Sequence, residues 1–231
     1  ISVDEASMMP MYQFFMITTF TNPDSQIQLA GDHRQLPPVQ KYDWTDENRS
    51  SIINNLPHLS VLDYFRYLKN DKADIPIIQL NETYRCHKTV TEFLRRTVYE
   101  KDNLPYDSNQ TDTMNENISD NNISKILNPE SPLTLIIHDD RQSRQNNIPE
   151  KNLISEHNSQ KGKLSVECSE NVEIDTVERF QGGEKDVMFL STTVSDPTQS
   201  SDEEDFILSH RRLNVALSRM KKKLVVVAPK T

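Results

Sequence analysis

Asp4 and Glu5 are the first residues able to do chemistry. They follow the apolar run Ile1-Ser2-Val3 and precede Ala6-Ser7. At the end of a strand, the first carboxylate could hold Mg²⁺, directly or through water, and the second could orient and deprotonate an attacking water. A solvated turn would read the same way, so the pair alone is not diagnostic. A longer string follows, Ala30-Gly31-Asp32-His33-Arg34-Gln35-Leu36-Pro37-Pro38. Here the alternating segment Gln26 to Ala30 stops at a glycine turn, as a strand does. Gln35 could report a γ-phosphate by hydrogen bonding. The stiff Pro37–Pro38 pair could wall one side of a nucleic-acid strand.

Further strings continue in order: Leu80-Asn81-Glu82-Thr83-Tyr84-Arg85-Cys86-His87, then Thr176-Val177-Glu178-Arg179-Phe180-Gln181-Gly182-Gly183-Glu184-Lys185-Asp186, then Arg211-Arg212-Leu213-Asn214-Val215-Ala216-Leu217-Ser218-Arg219. Together the five strings resemble motifs II to VI of superfamily 1 helicases. The branch is the one that includes the nonsense-mediated-decay RNA helicase and its DNA-acting relatives. That resemblance implies a RecA-like α/β fold, a parallel sheet flanked by helices. The chain would hold the end of the first lobe and the whole second lobe. It implies ATP and Mg²⁺ as cofactors, with ATP between the lobes. Asp4 would help hold the metal and Glu5 would activate water. Gln35, Arg85 and Arg219 would sense or stabilise the γ-phosphate, a task that suits a permanently charged, planar guanidinium. Gly183 would let backbone approach the nucleotide, and Glu184 resembles the acid that touches the ribose or couples the site to nucleic acid. Single-stranded DNA or RNA is the implied partner, with 5′-to-3′ travel, together with an upstream first-lobe segment of the same protein.

Each residue also has a plainer reading. Thr176 could donate to a nucleic-acid phosphate, or be an ordinary β-branched residue near a strand end. Gln181 stands equally open. Tyr84 and Phe180 could stack on bases or simply pack. Lys221-Lys222-Lys223 could contact a phosphate backbone or form a solvated charge run. Cys86 reads as an unreactive small residue. Asp139 and Asp140 could belong to a metal-dependent nuclease, but they lie in a polar stretch with no companion lysine motif.

The elements that position these residues divide at about residue 70. Residues 1–70 read strand, helix, strand, loop, helix, with Met8 to Phe20 helical. Residues 71–231 read as the second lobe. It opens with a short strand, Ile77 to Leu80, and a helix with Val90, Phe93, Leu94 and Val98 on one apolar face. Residues 107–130 are rich in Asn, Asp, Ser and Thr and read as a mobile polar insertion. Leu133 to Ile137, Val187 to Leu190 and Leu224 to Val227 are near-continuous apolar runs, as in parallel strands buried on both faces. No internal repeat is visible. The net charge of -9 runs mildly against a nucleic-acid binder, although bases gather between Arg211 and Lys223. Cys86 and Cys168 are far apart and lack metal-ligand spacing, which points to a reduced compartment. With no run of membrane-spanning length, the expected location is cytoplasmic, or nuclear in a eukaryote. Oligomeric state is not readable.

The chain also departs from the resemblance. A Walker A loop needs G-x-x-x-x-G-K-[ST]. Of Gly31, Gly162, Gly182 and Gly183, only Gly162 precedes a lysine, and it has no partner glycine before it. With Ile1 already inside a strand-like pattern, the chain reads as a segment of a longer protein whose loop lies upstream. Glu156 to Gly162 resembles a family segment that usually follows a strand. Here it follows Glu150 to Ile154 almost directly, as though a helix end and a strand were missing. This leaves two readings: part of a working motor, expected to be inactive alone, or a degenerate lobe that only binds nucleic acid or protein.

Overall fold

Apolar β-branched runs bounded by polar turns form strands, and in this chain they pair in parallel. The computed structural model describes residues 1–39, 59–71, 74–114, 121–142, 173–180, 182–192, 194–196 and 209–230. The chain divides into two compact units, Ile1–Gln79 and Leu80–Thr231.

In the first unit, β1 (Ser2–Val3) pairs in parallel with β2 (Gln28–Leu29). The ladder extends past both strands, since Ala30 N donates to Val3 O and Ala6 N to Ala30 O, each at 2.8 Å. Helix α1 (Met11–Thr18) begins after Pro10, whose fixed φ suits a helix start, so it is shorter than the expected Met8 to Phe20. Helix α2 (Val61–Asp71) follows Ser60, whose Oγ accepts from Asp63 N at 3.0 Å and caps the first turn. Val3, Ala6, Met11, Phe14 and Val61 form the core. The Phe14 ring meets Phe65 edge-on at 5.6 Å, a favoured aromatic geometry.

In the second unit, β3 (Leu133–His138), β4 (Lys185–Ser191) and β5 (Met220–Pro229) form a parallel sheet in the order β3-β5-β4. β5 is central and reads as the sequence predicts: Leu224 and Val225 are fully buried. β3 does not. Leu135 and Ile137 are 60 % and 59 % exposed, because this strand has a described partner on one side only and alternates between faces. Helix α3 (Lys88–Leu94) runs on through a π turn, Arg95–Tyr99, and a 3₁₀ turn, Glu100–Asp102. Val90, Leu94 and Val98 are buried as expected, whereas Phe93 lies off the face, 41 % exposed. Beyond the π turn, Tyr99 turns inward instead, at 5 % exposure. Helix α4 (Asn121–Ile126) leads towards β3, and α5 (His210–Leu217) leads into β5 and packs on α3.

Ile77 to Leu80 is not a strand. Ile78 and Leu80 stand 89 % and 87 % exposed, and no described strand pairs with them. An apolar run needs a partner edge to become a strand, and Pro76 removes one donor just before it. Residues 107–110, the start of the polar insertion, are held against the loop before α3. Thr83 N donates to Asp107 O and Lys88 N to Gln110 O, and Ser108 Oγ donates to Cys86 O at 2.7 Å. The irregularity before Glu156, Gln181 and Cys168 lie outside the described residues. Among the described residues, no helix is long and apolar enough to cross a membrane.

Candidate nucleotide site

The first unit sets its carboxylates at the carboxyl end of β1. Asp4 is exposed, and its Oδ1 accepts from Glu5 N at 2.8 Å. Glu5 has φ 50°, the left-handed region that non-glycine residues seldom occupy. Such strain persists only where surroundings enforce it, and it gathers at functional sites. Asp32 orders the next string. Its Oδ1 accepts from Arg34 N at 2.8 Å and its Oδ2 from Gln35 Nε2 at 3.2 Å. Gly31 brings the two strings together, since a Cβ there would lie 3.0 Å from Ala6 N and 3.1 Å from Ser7 N. A side chain there would force that backbone to give by a few tenths of an ångström. Pro37 is exposed, whereas Pro38 is buried and offers no wall to a strand.

Hard oxygen donors at a strand end suit Mg²⁺. That ion takes one or two protein carboxylates and fills its octahedron with water and phosphate oxygens, so a full protein cage is not needed. Among the described residues no group of three or more such ligands gathers, and Asp4 is an exposed carboxylate of the kind this ion takes.

In the second unit, three strings distant in sequence converge. Arg85 Nε donates to Glu184 Oε2 at 3.2 Å, and Lys221 Nζ binds the other oxygen, Oε1, at 2.5 Å. The lysine first, and then the arginine, hold the Glu184 carboxyl below the usual range. Cys86 Sγ contacts Ser218 O at 3.2 Å, His87 N donates to Lys221 O, and Lys185 N to Arg219 O. The loop before α3 is thus tied to the turn between α5 and β5. Burial pushes the Cys86 thiol up to about 11, consistent with an unreactive residue. Gly182 takes φ 80° in the turn that presents Gly183 and Glu184.

The arginines differ. Arg85 is about one-third exposed. Arg219 is 2 % exposed, and its Nε donates to Val215 O at 3.3 Å, so it is not a solvated helix charge. Thr176 is half-buried and opens the turn that runs to Phe180, its carbonyl accepting from Arg179 N. The two aromatics separate as well. Phe180 is buried, but Tyr84 is 75 % exposed, with its hydroxyl on Glu82 at 3.1 Å.

Several residues escaped the sequence reading. Arg212, 7 % exposed, pairs with Glu178 at 2.8 Å and joins the last two strings. Asn214 Nδ2 donates to the Tyr99 hydroxyl at 2.9 Å and ties α5 to the π turn. The lysine run is not one solvated patch. Lys221 takes Glu184, Lys222 takes Asp186 at 2.9 Å, and Lys223 is 1 % exposed. Lys223 Nζ donates to Ser131 O, to Thr134 Oγ1 at 2.8 Å and to Asn128 O at 3.1 Å. Asp140 accepts from Ser195 Oγ at 2.6 Å, well away from these strings in sequence.

A family model described as an AAA domain, AAA_12, matches residues 143–231. The "DNA polymerase alpha-associated DNA helicase A" of Saccharomyces cerevisiae is 28 % identical over 265 residues, covering 97 % of this chain and 37 % of the relative. The "DNA replication ATP-dependent helicase/nuclease DNA2" of Gallus gallus is 26 % identical, covering 86 % and 20 %. The "Regulator of nonsense transcripts 1" of Dictyostelium discoideum is 27 % identical, covering 87 % and 16 %. Among solved structures, the PRRSV helicase aligns over 98 % of this chain and 34 % of its own, with TM-score 0.52 and 15 % identity. The Arterivirus nonstructural protein 10 helicase in complex with DNA gives 0.50 and 14 %, over 98 % and 38 %. The fold is therefore the α/β, RecA-like fold of helicases. More narrowly, the chain is similar over most of its length to two proteins named as DNA helicases and to one named as a regulator of nonsense transcripts. It spans little more than a third of the yeast relative and less of the others.

Proposed function

We propose that this chain is the part of an ATP-dependent nucleic-acid helicase or translocase that supplies motifs II to VI. The observation that carries the reading is the convergence of Arg85 and Glu184, from two separate strings, and Lys221, just beyond a third, on one partly exposed cluster. Arg85 meets Glu184 through Nε, which leaves its terminal fork for a phosphate. Asp4 would hold Mg²⁺, which when bound with ATP neutralises phosphate charge. Glu5, pinned in a strained backbone, orients the attacking water and takes its proton. Gln35, fixed by Asp32, senses the γ-phosphate. Arg219 serves the same charge, but from a buried resting position, so its contact requires the turn at Ser218–Arg219 to rearrange. Gly183 and Glu184 lie at the nucleotide side of motif V. Pro37 and Thr176 are the groups nearest in kind to strand contacts. The strand is single-stranded DNA or RNA, travel is 5′ to 3′, and the Walker A loop belongs to another segment of the same protein.

A second reading, a lobe that binds nucleic acid or protein without hydrolysis, is favoured by one observation: Glu150 to Ile154 runs almost directly into Glu156 to Gly162, which leaves no room for a strand between them. ATP hydrolysis by the full-length protein, with and without single-stranded DNA or RNA, separates the two. We expect strand-stimulated turnover that falls at least about 100-fold in Glu5→Gln and in Arg85→Ala. Strand binding with no turnover would install the second reading. Full turnover by Glu5→Gln would remove Glu5 from the chemistry.

A further inference from the structure

Lys221 belongs to none of the strings that carry the resemblance, yet it completes the cluster. Glu184 lies between two cations, with Arg85 Nε on Oε2 at 3.2 Å and Lys221 Nζ on Oε1 at 2.5 Å. Arg85 makes no further side-chain hydrogen bond among the described residues, so its terminal nitrogens stay open while Nε is held. Alone, Glu184 would bring Arg85 a full opposite charge. The arginine would be oriented but neutralised, a poor partner for an anion. With Lys221 on the second oxygen, the three side chains carry a net charge of +1. Lys221 also fixes the carboxylate from the far side, which removes a rotational freedom that a single arginine bond leaves open. The backbone reinforces this placement, since Lys221 O accepts from His87 N, two residues beyond Arg85.

We propose that Lys221 is a positioning residue for ATP hydrolysis, acting through Glu184 to hold Arg85 oriented and net positive towards the γ-phosphate. Glu184 then works as the brace of Arg85 rather than as a ribose contact. The proposal rests on the reading of Arg85 given above. Removing the lysine should weaken the transition state more than ATP binding, because phosphoryl charge moves towards the arginine fork during transfer.

The test is steady-state ATP hydrolysis by the full-length protein at saturating single-stranded DNA. Lys221→Ala should lower kcat by about tenfold and change KM for ATP by less than about threefold. Lys221→Arg, which can still donate to Glu184, should recover kcat to within about twofold. In an Arg85→Ala background, Lys221→Ala should add no further loss, because a residue acting through another has nothing left to position. An unchanged kcat in Lys221→Ala overturns the proposal. So does an equal further loss in the Arg85→Ala background, or an unchanged kcat with a raised strand concentration for half-maximal stimulation, which would make Lys221 a strand contact. Failure of Lys221→Arg to recover, with an unaltered melting temperature, also overturns it. If Arg85→Ala itself leaves kcat intact, the fault lies in the Arg85 assignment instead.

Discussion

At the scale of single residues, the candidate site is built from side chains that also hold backbone. His87 shows the consequence most directly. Its Nδ1 accepts from Thr89 N at 3.1 Å and caps α3, directly after Arg85 and Cys86. An imidazole can accept there only while neutral. Burial, and then Lys88, hold His87 below its ordinary value of 6.5, with Asp112 opposing. As pH falls, the unfolded chain therefore takes the proton first. The stabilisation is full above the ordinary value and is lost as pH falls towards the folded value. His87→Asn keeps a cap acceptor that does not titrate. Between about pH 7.5 and 5.5, the melting temperature of the wild type should fall more steeply than that of the variant. Parallel slopes would show that the cap is not the sensitive group. His87→Ala should cost about 1 kcal/mol at the upper pH, the ordinary worth of an N-cap.

At the scale of elements, β5 joins the site to the sheet, and its lysines divide the work. Lys223 sends its ammonium to two carbonyls and a hydroxyl around the start of β3, at Asn128, Ser131 and Thr134. Burial holds its pKa below the ordinary lysine value. Lys223→Met keeps the apolar stem and removes the donor. It should destabilise by about 2 to 3 kcal/mol, because buried acceptors lose a charged partner. Lys222→Met, on the exposed pair with Asp186, should leave stability unchanged. Urea unfolding of both variants makes the comparison, and equal midpoints would refute the anchoring role. Much of the sheet was legible before folding was considered. Val187 to Leu190 and Leu224 to Val227 are apolar and β-branched, and they became strands. Ile77 to Leu80 is similarly apolar but has no partner among the described residues, because pairing is a property of two segments. Arg85 meeting Glu184 across 99 positions of sequence was illegible for the same reason. The motif named both residues, but only the tertiary fold gives the distance. The lysine run misled because composition hides which face each residue takes.

At the scale of the whole chain, hydrolysis needs a cradle for the phosphates as well as groups to act on them. On the proposed reading, the two units supply the second kind. Carboxylates follow β1 in Ile1–Gln79, and the Arg85–Glu184–Lys221 cluster lies in Leu80–Thr231. The first kind, a glycine-rich turn of backbone N–H groups followed by lysine, has no counterpart among Gly31, Gly162, Gly182 and Gly183. Net charge argues the same way, because a chain at -9 repels a polyanionic nucleotide unless a local device overcomes it. The cluster offers one surplus positive charge, well short of what a triphosphate and its transition state require. Preorganised positioning supplies most of the barrier reduction in phosphoryl transfer, and it cannot act on a substrate that is not held. This chain expressed alone should therefore hydrolyse ATP no faster than its own Glu5→Gln variant, with or without single-stranded DNA. A phosphate-release assay at millimolar ATP makes the comparison. Turnover that exceeds the variant and rises with added strand would mean that the chain holds the phosphates by another route. The search for that cradle would then begin with the backbone N–H groups around Gly31 and Gly182.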